Sequence, residues 1–212
     1  MLCPLCNNSD ATFYSKDKRR DYFQCQNCAL VFVPVEQRLS SLEEKAEYDK
    51  HENNPNDTGY RNFLSRLHSP VEEFIKEHSK GLDFGCGPGP TLSVIFEENG
   101  HQVDNYDIFY ADNKDIFNKR YDFITSSEVF EHLFKPGDVF EQIISILKPG
   151  GVLGVMTKRV TSKTAFDNWH YKNDKTHVCF FSDKTFEWLA DNYNLKLDII
   201  GNDVVLLIKG TD

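Results

Sequence analysis

The sequence has no long apolar run. In 212 residues, no stretch approaches the ~20 apolar residues that a helix needs to cross a bilayer. Its first residues, M-L-C-P-L-C, show neither the basic nor the apolar segment of a secretory signal. We therefore expect no membrane partner and a cytoplasmic location. Six cysteines without an export signal also argue for a reducing compartment, in which thiols serve metal sites rather than disulfides.

An excess of basic residues is also missing. The chain has 24 basic and 33 acidic residues, a net charge of −9, and residues 1–35 carry +1 of it. Proteins that bind nucleic acids usually have a basic surface, because release of phosphate counterions supplies much of their affinity. The charge balance therefore argues against a nucleic-acid partner. The hydrophobic fraction of 40%, with 17 phenylalanines, is enough for the core of one sizeable domain plus a small appendage.

Four of the six cysteines form two C-x-x-C pairs near the start of the chain. They are Cys3 with Cys6 and Cys25 with Cys28, and 18 residues separate the pairs. Each pair can present two thiolates, and two such pairs close a tetrahedral four-sulfur zinc site. Short strands are predicted at 12–14 and 21–24, on either side of a charged turn. We predict a zinc ribbon over residues 1–35, with the apolar run 29–35 as an edge strand or a lead-out that packs the ribbon on the rest.

Residues 81–90 read G-L-D-F-G-C-G-P-G-P and predict a strand, a glycine turn and a helix. This arrangement brings bare backbone close to a nucleotide-like ligand. A second strand, 103–107, ends in Asp107, which lies 24 positions after Asp83. An acidic residue at that point can accept hydrogen bonds from ribose hydroxyls.

These residues resemble the class I S-adenosylmethionine (SAM)-dependent methyltransferases. The matching segments are L-D-F-G-C-G-P-G at 82–89, Asp107, S-S-E-V-F-E-H-L at 126–133 and L-K-P-G-G at 147–151. The glycine spacing G-x-G-x-G fits this family better than the G-x-G-x-x-G of dinucleotide dehydrogenases. The resemblance implies an α/β fold with a Rossmann-like methyltransferase sheet.

Only 13 residues separate Asp107 from the next strand, which begins at Tyr121. The family usually fits a helix, a third strand and an adenine-contacting acid into this interval. We expect the third strand to be reduced, with Asp112 or Asn113 as the residue that could still reach the adenine. The predicted parts are therefore the zinc ribbon (1–35), a helical lead-in that covers the cofactor site (36–80) and the methyltransferase domain (81–212).

Two helices are predicted in the lead-in. The first is capped by Ser40 or Ser41 and runs to Lys50, and a polar loop follows at 51–59. The second spans 60–78 and is bent or broken at Pro70. Tyr48, Tyr60 and Arg61 could border the methyl donor, or the aromatic residues could simply pack in the core.

The resemblance implies a cofactor site made by the glycine loop and the strand ends. Asp107 would accept the ribose hydroxyls, Asp83 would orient the loop or the amino group of the cofactor, and Cys86 would have no chemical role. The predicted cofactor-binding residues are Tyr60, Asp83, Phe84, Gly85, Cys86, Gly87, Gly89, Asp107, Ile108 and Ser126.

Glu128, Glu131 and His132 are spaced to share one face of a helical turn. With His177 they could ligate a divalent metal, as in the similar E-x-x-E-H element of ubiquinone-pathway O-methyltransferases and small-RNA 2′-O-methyltransferases. Alternatively, the first three are supporting packing residues, or His132 or His177 acts alone as a general base. The long polar segment 158–176 is expected to cover a site. Trp169, Tyr171 and His177 would form the acceptor wall, unless their aromatic rings only pack.

The sequence thus predicts methyl transfer from SAM to a small-molecule acceptor by in-line displacement. Two alternatives remain open at this point. The first is an RNA or protein methyltransferase that docks its substrate on the ribbon, and the second is a non-catalytic cofactor-binding module. The residues do not indicate an oligomeric state.

Overall fold

The computed structural model describes residues 1–50 and 53–211. A small antiparallel sheet holds the N-terminal part of the chain. Its strands are β1 (Ala11–Lys16), β2 (Asp21–Cys25), β3 (Val31–Phe32) and β8 (Cys179–Phe180), in the order β1-β2-β3-β8. Strand β3 pairs with β2 on one side and with β8 on the other. The run at 29–35 therefore forms an inner strand rather than an edge strand, and it joins the ribbon to a distant part of the chain.

The second sheet has six strands and confirms the predicted α/β methyltransferase architecture. Its order is β5-β4-β6-β7-β10-β9, with the first four strands parallel and β10 antiparallel to both of its neighbours. The strands are β4 (Lys80–Phe84), β5 (Gln102–Tyr106), β6 (Tyr121–Ser127), β7 (Leu147–Met156), β9 (Leu195–Ile200) and β10 (Val204–Lys209).

Within the described chain, β5 forms one edge of the six-stranded sheet, and no third strand lies beyond it. The interval after β5 holds only a 3-10 helix (Lys114–Asn118) and a single bridge between Asp107 and Ala111. The expectation of a reduced third strand is therefore confirmed. Thirteen residues are too few for the dozen or more that a parallel crossover needs, together with the strand that follows it.

Six α-helices accompany the sheets in the described part of the chain. They are α1 (Ser41–Tyr48), α2 (Thr58–Glu72), α3 (Thr91–Glu98), α4 (Pro136–Ile146), α5 (Lys163–Asp167) and α6 (Asp183–Tyr193). Ser40 caps α1 in a reciprocal pair with Glu43, as the sequence predicts for one of its two serines. None of the helices described here is long and apolar enough to cross a membrane.

Helix α2 differs from its prediction at both ends. It begins at Thr58, because the side chain of Asp57 accepts a hydrogen bond from the Tyr60 amide and caps it there. It continues through Pro70 and ends at Glu72 rather than at residue 78. Packing of the apolar face of α2 on the sheet carries the helix past the proline. The predicted loop 51–59 includes His51 and Glu52, which lie outside the described residues.

The two faces of the large sheet have different coverings. Helices α2 and α3 cover one face, where Leu67 and Phe96 belong to a cluster that includes Phe123 of β6. The other face shares a single core with the ribbon, so that Tyr22 and Phe181 belong to the same buried cluster. The ribbon therefore has no separate core, and its stability depends on that of the large sheet.

Gly137 makes a close backbone contact between α4 and the ribbon. Its amide donates to the carbonyl oxygen of Pro4 at 3.3 Å, and a Cβ at this position would lie 2.2 Å from the carbonyl oxygen of Leu5. Overpacking costs up to ~3 kcal/mol, of which alanine's better helix propensity offsets ~1 kcal/mol. We expect Gly137→Ala to lower the melting temperature by about 5 °C in a thermal scan.

Gly210→Ala is the matched control for this prediction. A Cβ added at Gly210 meets no atom within 4 Å, and the backbone there lies outside the left-handed region. Its melting temperature should equal that of the unmodified chain. An unchanged melting temperature for Gly137→Ala would contradict the tight seating of the ribbon on α4.

Candidate active site at the carboxyl ends of the parallel strands

The glycine loop after β4 adopts a conformation that requires glycine. Gly85 and Gly87 have φ angles of +80° and +64°, in the left-handed region that residues with a Cβ avoid. The amides of Gly85 and Cys86 both donate to the Tyr106 carbonyl, at 2.7 and 3.2 Å. A Cβ on Gly85 would lie 2.3 Å from the side chain of Val129. Strand β5 and the segment after β6 thus hold the loop from two sides.

The carboxylate of Asp107 lies across from this loop. One oxygen accepts from the Gly87 amide at 3.1 Å, and the other accepts from the amides of Phe109 and Tyr110 at 2.8 and 3.2 Å. Three main-chain donors therefore fix the carboxylate beside the glycine loop. The sequence analysis predicts that the ribose hydroxyls of the cofactor bind at this carboxylate.

Asp83 is buried below the same loop, with 4% of its surface exposed. Thr125 and Ser93 each donate a side-chain hydroxyl to its carboxylate, both at 3.3 Å. Burial nevertheless raises the pKa of Asp83 to about 7, since two hydroxyl donors do not replace the lost hydration. An ammonium group beside Asp83 would restore its ionised form.

A cavity of about 820 Å³ joins the glycine loop to the segments after β6 and before β8. This volume is near the upper end of the ~300–1,000 Å³ typical of small-ligand pockets. Eight of the ten residues predicted to bind the cofactor line it: Tyr60, Asp83, Phe84, Gly85, Cys86, Gly87, Asp107 and Ile108. The other two lie elsewhere. Ser126 is fully buried, and its neighbour Ser127 lines the cavity wall instead. Gly89 is covered by the backbone of Asn53, because a Cβ added at Gly89 would lie 2.1 Å from the Asn53 carbonyl oxygen.

Helix α1 supplies part of the wall. Glu44 and Tyr48 line the cavity, and the Tyr48 hydroxyl donates to the Glu44 carboxylate at 2.8 Å. The Tyr48 ring meets that of His132 edge-on, with centroids 5.3 Å apart. Sequence reasoning missed Glu44, although the Ser40 cap implies that residues 44 and 48, one turn apart, share a face.

Two expectations for the cofactor side are corrected. Asp112 pairs with Lys114, and Asn113 caps the 3-10 helix after it, so neither lines the cavity. Arg61 forms an ion pair with Glu98 instead of bordering the cavity. With the third strand absent, Phe109 and Tyr110 occupy the wall next to Ile108.

The segment after β6 also differs from its prediction. Glu128 has a φ of +54°, and the 3-10 helix Phe130–His132 begins only after it. Glu128, Glu131 and His132 therefore do not share one helical face, because the left-handed residue breaks the expected spacing. The structure instead brings Glu131, His132 and His177 together, with their possible ligand atoms all within 4.8 Å of one another.

Glu131 is fully buried and forms the centre of a hydrogen-bond network. It accepts from the hydroxyls of Thr157, at 2.8 Å, and Tyr171. Burial raises the pKa of both Glu131 and Glu128, and repulsion between the two carboxylates raises that of Glu128 further. The pair is therefore expected to retain a proton near neutral pH.

His177 lies on the cavity wall with a defined orientation. Its Nδ1 is 2.8 Å from the carbonyl oxygen of Tyr171, so this nitrogen carries the proton and Nε2 carries the lone pair. Burial, reinforced by His132, lowers the pKa of His177 to about 3. The ring is therefore neutral at physiological pH, and its Nε2 is a hydrogen-bond acceptor but only a weak base. An Asp174 carboxylate oxygen is 3.8 Å from that nitrogen.

The expected acceptor wall is thus only partly present. His177 lines the cavity, whereas Tyr171 is buried behind it on Glu131. Trp169 packs against Phe166, Tyr171 and Phe180. Sequence reasoning missed Phe134, Val139 and Gln142, which line the cavity from the 3-10 helix and α4 region. Their chain positions carry no motif.

The four N-terminal cysteines come together as predicted. The Sγ atoms of Cys3 and Cys28 and those of Cys6 and Cys25 are each 3.5 Å apart, and all four lie within 4.8 Å of one another. All six cysteines of the chain are free thiols. Four converging sulfurs fit the tetrahedral coordination of zinc, so the cluster fits a zinc ribbon.

A comparison with known protein families identifies the larger part of the chain. Residues 57–198 match the family described as a methyltransferase domain, which is more than half of the chain. The chain belongs to this methyltransferase family. With the glycine loop and Asp107 described above, it is a SAM-dependent methyltransferase. A comparison with curated proteins gives no match.

Solved structures show the same fold for this methyltransferase. The 1,6-didemethyltoxoflavin N1-methyltransferase of Burkholderia thailandensis, solved with its acceptor and S-adenosylhomocysteine (SAH), has a TM-score of 0.55 and 14% identity. The alignment covers 96% of this chain and 100% of the Burkholderia one. The magnesium protoporphyrin IX methyltransferase of Synechocystis PCC 6803, solved with SAH, has a TM-score of 0.50 and 10% identity, and the alignment covers 80% and 94% of the two chains.

Proposed function

We propose that this methyltransferase transfers the methyl group of SAM to a small-molecule acceptor. The observation that supports this most directly is the single cavity, which the cofactor cradle and the His177 wall share. Helix α1 contributes to its wall, and residues 36–212 carry a net charge of −10. A cavity walled by a helix suits a small ligand, and a negative net charge disfavours a polyanion. The Burkholderia enzyme, of the same fold, was solved with a small acceptor beside SAH.

The cofactor would bind through main chain and two carboxylates. The glycine loop would hold its methionine part, Asp107 its ribose hydroxyls and Asp83 its amino group. The sulfonium already activates the methyl group, so the protein mainly has to align acceptor and methyl for in-line displacement. Such alignment can supply roughly 7–11 kcal/mol of the barrier.

His177 would take the acceptor's proton. The bond from Nδ1 to the Tyr171 carbonyl points the lone pair of Nε2 away from that carbonyl, and the low pKa keeps the ring neutral. A pKa of about 3 makes Nε2 a weak base, and the Asp174 carboxylate, 3.8 Å from it, is the group that would stabilise the imidazolium as it forms. As the acceptor's nucleophilic atom forms its bond to the methyl group, Nε2 would receive the proton that this atom loses. His132, whose ring centroid is 4.7 Å from that of His177, would flank the acceptor.

A divalent metal is the second candidate at the same place. Glu131, His132 and His177 offer three suitable ligands within 4.8 Å, without Glu128. A metal there would lower the pKa of an acceptor hydroxyl and orient it. However, both carboxylate oxygens of Glu131 already accept a hydrogen bond from a hydroxyl, which favours a site without a metal.

We further propose that zinc fills the four-cysteine site and serves folding. With four sulfur ligands the site has no open position for catalysis. We place the protein in the cytoplasm, where a reducing environment keeps cysteines available to zinc. The ribbon (1–35), the lead-in (36–80) and residues 81–212 would then act as scaffold, cover and catalytic domain.

A transfer assay with tritium-labelled methyl groups tests the acceptor class. The purified protein is incubated with labelled SAM and, separately, with a small-molecule extract, total RNA and a protein extract. We expect label in the small-molecule fraction. Label in RNA or protein would instead support a macromolecular substrate docked on the ribbon. SAH binding without transfer to any fraction would support a non-catalytic module.

Asp107→Asn is expected to weaken SAH binding about thirtyfold. The amide keeps one acceptor but loses the charge, and a hydrogen bond to a charged group contributes ~1.5–3 kcal/mol. Isothermal titration calorimetry measures the change. Asp112→Asn is the matched control, because Asp112 lies in the same interval and is half exposed outside the cavity. Equal affinities for the Asp107 variant and the control would contradict the ribose role.

The affinity for SAH is expected to fall with pH below 7. Asp83 is protonated below its pKa of about 7 in the free protein, and pairing with the cofactor's ammonium requires the carboxylate. Binding must then release a proton, so affinity should fall up to about tenfold per pH unit between pH 7 and 5. Titrations in two buffers of different ionisation enthalpy count that proton.

Asp83→Asn is the control for the pH dependence and should remove most of it. The same pKa also affects the ligand-free fold. Because the folded pKa lies above the reference value of 3.8, ionisation of Asp83 destabilises the fold as the pH rises from about 4 to 7. A pH-independent affinity in the unmodified chain would show that Asp83 does not pair with the cofactor.

A further inference from the structure

Arg20 of the ribbon is buried, although its sequence context predicts a surface charge. It ends the turn D-K-R-R between β1 and β2, yet only 7% of its surface is exposed, while Arg19 beside it is exposed. A buried guanidinium is costly unless its N–H groups find acceptors. Its partners therefore indicate what it does.

Those partners are four main-chain carbonyls of one short segment, 172–177. Nη1 donates to the carbonyls of Lys175 and His177 at 3.0 and 2.9 Å, and Nη2 donates to those of Lys172 and Asp174 at 2.5 and 2.9 Å. A guanidinium has five N–H donors in a fixed plane, and four of them are used here. From residue 174 to 178 the chain has no helix or strand, so Arg20 takes the place of a secondary-structure ladder.

The same segment carries groups of the proposed acceptor site. Asp174 and His177 line the cavity, and the Tyr171 carbonyl sets the tautomer of His177. The end of the segment is also fixed, because the Val178 amide donates to the Glu131 carbonyl at 2.7 Å and its carbonyl accepts from the Val33 amide at 2.9 Å.

A cation from the segment reaches back into the ribbon. Lys172 is 5% exposed, and its ammonium donates to the Asp167 carbonyl at 2.9 Å. It also lies 5.5 Å from the ring centroid of Tyr22 in β2. Arg20 of the ribbon therefore contacts the segment, and Lys172 of the segment contacts the ribbon.

We propose that Arg20 is a positioning residue for the acceptor end of the active site. It holds the main chain of 172–177 so that Asp174 and His177 face the cavity. Its importance for catalysis depends on the function proposed above. Strand β2 runs from the Arg20 turn to Cys25 of the zinc cluster, so the ribbon connects the metal site to the cavity wall.

Arg20→Lys tests this role, because lysine keeps the charge but cannot reach four carbonyls with one ammonium. Three measurements are made on the full chain: amide hydrogen exchange, the ring-nitrogen shifts of ¹⁵N-labelled histidine, and SAH affinity. We expect amides at 172–178 to exchange at least about tenfold faster, from the loss of three bonds of ~0.5–1.5 kcal/mol each. His177 should lose its single Nδ1–H tautomer, while the SAH dissociation constant stays within about twofold.

The matched control is Arg120→Lys, since Arg120 is exposed and, among the described residues, donates to the carbonyl of its neighbour Lys119. It should leave all three measurements unchanged. If Arg20→Lys does not fold, Asp17→Asn is a milder test, because Asp17 accepts from the Arg19 and Arg20 amides and fixes the turn. Exchange at 172–178 should then rise about threefold.

The proposal would be overturned if the folded Arg20→Lys variant kept the His177 ring-nitrogen shifts and the amide exchange rates at 172–178 unchanged. Faster exchange over the whole chain with parallel loss of SAH binding would also overturn it, since Arg20 would then only stabilise the fold. If the unmodified protein does not bind SAH, the proposed function fails. Exchange and ring-nitrogen shifts would still report whether Arg20 positions the segment.

Discussion

Cys28→Ser is expected to remove bound zinc and to lower the melting temperature by about 10 °C or more. Serine is a poor zinc ligand, and structural zinc sites contribute ~10–16 kcal/mol of apparent binding energy in isolated zinc-finger peptides. Because the ribbon shares its core with the large sheet, a loss of even ~4 kcal/mol would be felt by the whole chain. Metal analysis by mass spectrometry and a thermal scan measure both effects.

Cys179→Ser provides the matched control for zinc binding. Cys179 is also buried, but its thiol donates to the Leu133 carbonyl at 3.2 Å, and a hydroxyl can take over that bond. This variant should keep about one zinc ion per chain. Full zinc content in Cys28→Ser, or an unchanged melting temperature after zinc is lost, would contradict a structural zinc site.

His177→Gln is expected to lower kcat about a hundredfold, at the lower end of the ~10²–10⁴ that general bases contribute, because a pKa of about 3 makes Nε2 a weak base. Glutamine has nearly the same reach and can still donate to the Tyr171 carbonyl, but it has no basic nitrogen. The affinity for SAH should not change, because His177 belongs to the acceptor wall. The rate is measured with the acceptor identified in the transfer assay.

Two further measurements separate the possible roles of His177. His170→Gln, an exposed histidine in the same segment, should keep full activity. Treatment of the unmodified enzyme with a chelator, under conditions in which its zinc content stays constant, should also leave the rate unchanged if Nε2 is the base. A rate that is lost with the chelator and restored by added magnesium would favour the metal at Glu131, His132 and His177. A His177→Gln rate within tenfold of normal would exclude both roles.

The strongly patterned parts of the chain were predictable from sequence. The glycine loop requires left-handed backbone at Gly85 and Gly87, and only glycine adopts it readily, so the motif and the geometry coincide. The reduced third strand followed from the resemblance to the family together with the shortness of the interval after Asp107. The four cysteines come together as their two C-x-x-C pairs predict, because a tetrahedral zinc site requires this residue type and spacing.

The remaining features depend on contacts between distant residues. Strand β8 has two residues, too few for any periodic pattern, and it exists because β3 pairs with it. The spacing of Glu128, Glu131 and His132 is helical in sequence, but the left-handed Glu128 breaks the helix. The sequence predicts only a charged turn at Arg20, because the four carbonyls to which Arg20 donates belong to residues more than 150 positions further along the chain. Long-range hydrogen bonding decides such cases, and local propensity does not.

The ribbon's sheet also determines when the protein can fold. Strand β3 is synthesised about 150 residues before β8, its second partner. During that time the nascent hairpin has an open edge, which is prone to pairing with other chains. Closure over so long a loop is slow, since the entropic cost is met before any contact is gained. The N-terminal ribbon is therefore made first but cannot be completed until four of the six strands of the large sheet have been made, so its folding is expected to be coupled to theirs.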